Sequence, residues 1–299
     1  MAGVEVAELK GMTMSLTEDL PWPDRAEPLR IYRCGGAGFT ESSVAELGLR
    51  FGLPADNYGV MQSSAATVTY SHGPREVTIH RRSGGIRFRD LTRWQADHGG
   101  TVDLGDDEAV QIAQAFVRRH ELAPADELAV AKVTRLRVGL ADREGTTAEE
   151  RVIDVGVVMR RVIDGLPADG PGGHVMVYIG ADGEVTGADQ IWRPIVGVHS
   201  EVESLRPREW LEERISRHLG ADPAARLDIH EIRLGYFEDG WNSAQEFLQP
   251  AYVVLGILRS PDERLRRRSV IAVPAATNDV GEIMPPNPQI RTQPERVRR

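Results

Sequence analysis

The pattern of apolar residues predicts an α+β protein made of tandem units, each with one helix followed by antiparallel strands. Three observations carry this expectation. Apolar residues recur at helical spacing in three places, near residues 41–53, 108–122 and 208–219. Each of these stretches is followed by runs in which apolar and polar residues alternate, the period of a half-buried strand. Gly, Asp and Pro separate the runs, as tight turns require. A helix stripe and a one-faced sheet each need apolar cover, so pairing them satisfies both. The expected boundaries are an N-terminal arm (1–28), units at 29–104, 105–200 and 201–283, and a tail at 284–299.

Taken in order, the first residues carry mixed charge, and Pro21, Pro23 and Pro28 then break any regular element, so 1–28 reads as an arm or linker. Residues 29–34 form the first strand. Gly35, Gly36 and Gly38 lead into Thr40, an N-cap for a helix with Val44, Leu47 and Phe51 on one face, closed by Pro54. Strands are expected at 65–71, 75–81 and 84–94. In them Val77 and Ile79 alternate with Thr78 and His80, and Ile86 and Phe88 with Arg87 and Arg89.

The second unit opens on Asp106 and Asp107, which suit the positive end of a helix dipole. Ala109, Ile112, Ala113, Phe116 and Val117 share one helix face, and Pro124 stops the helix. A strand follows at 128–142, with its repeat at Val130, Lys132, Thr134 and Leu136. Beyond an acidic turn come three more, at 152–163, 174–180 and 184–192, the last two joined through Asp182-Gly183. The third unit starts at Arg206-Pro207. Its helix carries Trp210, Leu211, Ile215 and Leu219 and ends at Gly220, and strands follow at 227–237, 248–258 and 268–275. From Met284 the chain is rich in Pro and Arg and reads as disordered.

Composition narrows the function. A net charge of −9 over 299 residues argues against a phosphate-backbone binder, and 6% aromatic residues against a base-stacking platform, so no nucleic acid is expected. No apolar run approaches the roughly 20 residues of a membrane span. Acidic residues stand near the N-terminus where a secretory signal needs a positive start. A cytoplasmic protein is expected if the chain is complete, and an extracytoplasmic one if a signal or anchor has been removed. Cys34 is the only cysteine, which excludes an intramolecular disulfide and a Cys-based zinc site. It reads as a buried strand residue, with a nucleophile as the rival. No metal-ligand spacing links the 8 histidines, and no cofactor is expected.

The segment VVMRRVIDGLPADGPGGHVMVYIGADGEVTGADQIWRPI carries a family signal in Gly165, Pro167, Gly173, Val175, Val177, Asp182, Gly183, Val185, Trp192 and Pro194, with Ala168 where valine is usual. These residues resemble the PepSY-type domain and, more broadly, propeptide-like and YycI-type regulatory proteins. The resemblance covers residues 105–276. It implies tandem cystatin-like units and a non-catalytic role: inhibiting or chaperoning a peptidase, or modulating a sensor protein.

Several side chains are candidates for chemistry. Arg160 and Arg161 are strand neighbours and point to opposite faces, so one is turned inward and needs a partner, Asp154 or Glu184. Its functional counterpart is a bidentate grip on a carboxylate. Asp228 and His230, at i and i+2, share a strand face and form the one acid/base pair in view. The loop 238–247 places Trp241 and Asn242 between two strands as a binding edge or packing lid, and Trp192 closes the family-like segment. His120 and His218 sit near helix C-termini, where a cation is favoured; His80 is expected to face solvent. GGAG at 35–38 and DERLRRRS at 262–269 read as plain turns.

The expected function is a binding or regulatory protein that engages a peptide or protein on a strand edge or concave sheet face. One rival is a cofactor-free enzyme of isomerase or cyclase type, with Asp228 and His230 lining a pocket and Arg160 or Arg161 holding an anion. The other is a self-associating structural protein, so a homo-oligomer stays open.

Overall fold

A computed structural model describes residues 4–9, 12–17, 20–23, 25, 27–36, 39–54, 56, 58–92, 101–141, 147–219, 226–259 and 266–283. Elements run in the order β1 Val4–Leu9, β2 Met12–Thr17, β3 Arg30–Cys34, α1 Glu41–Arg50, β4 Val60–Ser63, β5 Thr67–His72, β6 Arg75–His80, β7 Ile86–Asp90 and α2 Asp106–Arg119. They continue with β8 Leu128–Ala141, β9 Thr147–Ile163, β10 Leu166–Asp169, β11 His174–Ile179, β12 Val185–Ile191, β13 Ile195–Glu201, α3 Arg208–Leu219, β14 Arg226–Phe237, β15 Phe247–Leu248, β16 Pro250–Arg259 and β17 Arg266–Pro274. The chain divides into two units, a larger one of residues 32–198 and 238–248, and a smaller one of residues 1–31, 199–237 and 249–299.

The expected fold class is overturned. The described residues hold three α-helices against seventeen strands, so the protein is mostly β rather than a row of cystatin-like helix-on-sheet units. The reason lies in one strand pair. In the larger unit β7 is antiparallel to β12, with Phe88 opposite Ala188 and Arg87 opposite Asp189. That pairing fuses what sequence periodicity assigns to two successive units into one antiparallel sheet, ordered β8-β9-β11-β12-β7-β6-β5-β4.

The individual elements follow their local signals. Thr40 caps α1, accepting from the Ser43 amide while the Ser43 hydroxyl accepts from the Thr40 amide. α2 opens on Asp106, Asp107 and Glu108 and ends on Arg118 and Arg119, in accord with its dipole. Between β9 and β10, Asp164 (φ 49°) and Gly165 (φ 71°) make the two left-handed steps of a tight hairpin turn. Both helices cover one face of the sheet. Val44 and Leu47 of α1 and Ala109, Ala113 and Val117 of α2 share a single apolar cluster with Val77, Ile79, Phe88, Val157, Val175 and Val177.

The other sheet face is polar where β7 meets β12. Asp189 accepts from Arg87 at 2.9 Å, Arg89 at 2.7 Å and the Tyr178 hydroxyl at 2.9 Å. Burial pushes the Tyr178 phenol up to about 12, helped by the Asp189 charge. For Asp189 burial acts to raise the carboxyl pKa, but the Arg89 hydrogen bond and charge, then those of Arg87, outweigh it and hold the group below its usual range.

In the smaller unit the sheet runs β1-β2-β14-β16-β17, all antiparallel except the parallel pair β2–β14. Residues 4–9 and 12–17 are therefore paired antiparallel strands and not an arm. Val4 and Val6, then Met12, Met14 and Leu16, alternate with polar residues and carry the strand signal. Leu211 and Ile215 of α3 are buried. Gly220, the acidic turn at 142–146, the start of DERLRRRS, the end of GGAG and the tail from 284 lie outside the described residues.

Asp189→Asn is expected to cost about 3 kcal/mol near pH 7, since two arginines lose a buried carboxylate. Its folded pKa lies below the unfolded value of about 3.9, so the stabilisation is full above that value and fades as pH falls through the folded one. Thermal melts of both proteins across acid pH check this: the gap between them should close.

Candidate functional site

The site grows from the alternation of β9. Val155, Val157 and Met159 face the helices and are fully buried, and the next residue on that face is Arg161, only 1% exposed. An inward arginine at the end of an apolar column needs acceptors, and three converge on it. Its Nε donates to Glu127 Oε2 at 2.8 Å, and its Nη1 to the Arg193 carbonyl at 2.7 Å and to Glu238 Oε2 at 3.3 Å. The guanidinium carbon lies 4.8 Å from the centre of the buried Trp192 ring, a cation–π contact. Arg160 points the other way and pairs with Asp169 at 2.9 Å. Opposite faces for the two arginines are as the strand period requires, but the expected partners are replaced. Glu184 is exposed, and Asp154 accepts from the Thr186 hydroxyl at 3.4 Å.

Glu238 is 0% exposed and joins this cluster from residues 238–248. Its Oε1 accepts from the Arg193 amide at 2.7 Å and from Arg193 Nη1 at 3.4 Å. Arg193 then clasps the following loop, donating to the carbonyls of Asp239 at 2.6 Å, Gly240 at 3.1 Å and Ser243 at 2.7 Å. Burial pushes the Glu238 carboxyl up, against the opposing charges of Arg161 and Arg193. The glycines before β11 serve this approach. A Cβ on Gly172 would stand 2.3 Å from the Asp239 carbonyl oxygen, so no side chain fits there.

Beside the cluster opens a cavity of about 660 Å³, within the usual size range of ligand pockets. Arg161, Gln190, Trp192, Ile86, Leu122 and Glu127 are among its walls. Gln190 is 8% exposed and shares a strand face with Ala188 and Trp192. Its Nε2 donates to the Leu122 carbonyl at 2.9 Å, which assigns the amide, and leaves Oε1 buried with no hydrogen-bond partner. An orphaned acceptor of this kind costs about 1–3 kcal/mol.

The remaining candidates lie elsewhere. Trp241 sits on His80 with ring centres 4.4 Å apart, and Arg87 lies 5.1 Å from its ring. The Asn242 carbonyl accepts from Arg82 at 3.4 Å. His80 is thus half-buried under an aromatic ring and not solvent-facing, and burial, then Arg87, lowers its pKa. His120, expected as a cation at a helix end, packs against aromatic rings instead. It stacks on Phe51 at 4.7 Å with planes 1° apart, and burial lowers its pKa too. In the smaller unit Asp228 is tied to Arg226 at 2.7 Å and Arg259 at 2.5 Å, and the strand bulges between Ile229 and Glu231, leaving His230 exposed. Cys34 is buried, and burial, then the Glu238 charge, raises its thiol to about 11.

Sequence reasoning missed Glu127, Gln190, Arg193 and Glu238. For Gln190 a signal existed, a polar residue between Ala188 and Trp192 on an apolar face. The others are charged residues at element ends, where charge is ordinary. Among the described residues no three His, Cys, Asp or Glu side chains cluster as a metal site, and no helix is long and apolar enough to cross a membrane.

No family description matches the chain, and no curated protein matches it in sequence. Among solved structures, an uncharacterized protein from Eubacterium rectale ATCC 33656 is similar in fold. It shares 10% sequence identity, covers 92% of each chain and has a TM-score of 0.53.

Replacing Glu238 by alanine is expected to cost about 4 kcal/mol, because two buried arginines lose their shared carboxylate, and denaturant unfolding reads this directly. Cys34 should resist Ellman's reagent near pH 8, where about one thiol in a thousand is ionised, and release one equivalent only in guanidinium.

Proposed function

We propose that this is a non-catalytic binding protein that holds a short stretch of peptide in the cavity of its larger unit. One observation carries the reading: a roughly 660 Å³ cavity whose apolar wall, with Ile86, Leu122 and Trp192, is interrupted by a few polar side chains, Arg161, Gln190 and Glu127. A few convergent polar groups on an apolar wall are how ligand pockets fix orientation. The charged groups support binding over turnover. Arg161, Glu127, Glu238 and Arg193 are engaged with one another, so none stands ready as an acid or base. Asp228 and His230, the acid/base pair of the enzyme alternative, belong to the other unit, with Asp228 committed to two arginines.

The test is titration of the full chain with a panel of short apolar peptides, some with free and some with blocked ends, followed by calorimetry and mass spectrometry. Saturable binding of at least one peptide, recovered intact after prolonged incubation, is expected. Failure of every peptide to saturate overturns the reading, and so does cleavage or isomerisation of a bound one.

A further inference from the structure

The larger unit holds a second cavity, of about 560 Å³, which shares no wall residue with the first. It opens between the C-terminal ends of α1 and α2, with β6, β7 and the turn before β12 as its other sides. Helical period explains the α2 side: Ile112, Ala115, Phe116 and Arg119 are spaced by three and four and share one face. Solvent reaches apolar surface here. Leu49 is 51% exposed, and Ile112, Phe116 and Val185 are partly exposed. Beneath them aromatic rings pack on one another, Phe51 on Phe88 at 4.9 Å and Phe116 on His120 at 4.3 Å.

The rim is cationic. Arg50, Arg75 and Arg119 line it against Asp90 and Glu184. Asp90 is buried and satisfied within the protein, accepting from Arg75 Nε at 2.8 Å and from the Thr92 amide at 3.2 Å. Arg75 makes that contact through Nε, so its two terminal nitrogens have no acceptor among the described residues. Arg50 uses one terminal nitrogen, Nη2, for the His120 carbonyl and Glu121. Arg119 is exposed and has no acceptor among the described residues. Arg50 and Arg75 are 43% and 45% exposed, so a ligand can reach all three.

The helix ends do not cancel this charge. Carbonyls in the last turn of α1 accept from the amides of Phe51, Gly52 and Leu53, and those of α2 from His120, Glu121 and Leu122. Glu184, exposed on its turn, is the one carboxylate left to offset the arginines. A cation would therefore meet like charge, and a small inorganic anion would leave Leu49 and Phe116 wet. An anion with an apolar body answers both features, since guanidinium pairs with carboxylate and the body displaces water.

We infer that this cavity is a second binding site, one for a small organic carboxylate with a flat apolar body. The carboxylate accepts from the rim arginines, Arg119 among them, and the body lies against Leu49 and Phe116.

The test titrates the full chain with cinnamate and with cinnamamide, which has the same body and no charge. Cinnamate should bind at least about tenfold more tightly by calorimetry and shift the imidazole proton resonances of His120. Arg119→Gln, at an exposed helix position, should weaken cinnamate about fivefold and leave cinnamamide unchanged. Ala115→Trp, also at an exposed position, fills the cavity and should abolish binding of both. Equal binding of the two probes, or cinnamate affinity unmoved by Arg119→Gln, overturns the choice of an anion. Cinnamate binding that survives Ala115→Trp or leaves His120 unshifted overturns the site. Absence of saturable cinnamate binding overturns the inference outright. The peptide reading stands or falls separately, because neither Ala115 nor Arg119 lines the first cavity.

Discussion

The larger unit depends on one buried carboxylate. Glu238 is shared by two arginines from different strands of the chain, Arg161 on β9 and Arg193 just beyond β12, and has no access to water. Each of the three would be costly alone at that depth, because a buried charge without a partner forfeits its hydration for nothing in return. Together they satisfy one another, and the geometry they impose reaches further. Arg193 spans from the sheet to three carbonyls of the 239–243 loop, so a segment remote in sequence is held to the unit that contains 32–198. Arg161, pinned by Glu127 and Glu238, can neither swing out to solvent nor approach a new anion without losing a bond.

The cavity is a consequence of the same arrangement combined with the fused sheet. Pairing of β7 with β12 brings Ile86 beside Gln190, and the alternation of β12 sets Gln190 and Trp192 on the helix-covered face. Burial on both faces explains why a polar residue there has no access to bulk water. It also explains why polar clusters sit where they do: Asp189, one residue along, faces the opposite side and meets Arg87, Arg89 and Tyr178. Neighbouring residues on one strand thus serve two roles, Asp189 in holding the sheet and Gln190 in lining a space.

Much of the secondary structure was legible. Thr40 as a cap, the acidic start of α2, and the alternation at Val77 and Ile79 or at Val175 and Val177 are local signals, and each produced the element it promised. Residues 4–9 and 12–17 carry the same alternation, beside Pro21, Pro23 and Pro28, which by themselves read as a linker. That one of Arg160 and Arg161 turns inward was readable from strand period; that it is Arg161 was settled by the packing. Its partners were not readable, because Glu127 and Glu238 are 34 and 77 residues away. The eventual setting of His80 and His120 was also hidden: a ring's stacking partner depends on what packs across from it.

By itself, then, the sequence determined which segments become helix or strand, which faces are apolar, and that one of two adjacent arginines must turn inward. Those follow from residue volume, backbone freedom and a period of two or of 3.6, all of which act over a few positions. Tertiary structure alone decided that β7 joins β12, that Glu238 settles between Arg161 and Arg193, and that Gln190 keeps an unanswered acceptor. Strand pairing runs through backbone hydrogen bonds common to every residue type, and the pairing of a buried charge is settled by distance in space. Neither leaves a mark at the spacing of neighbouring residues.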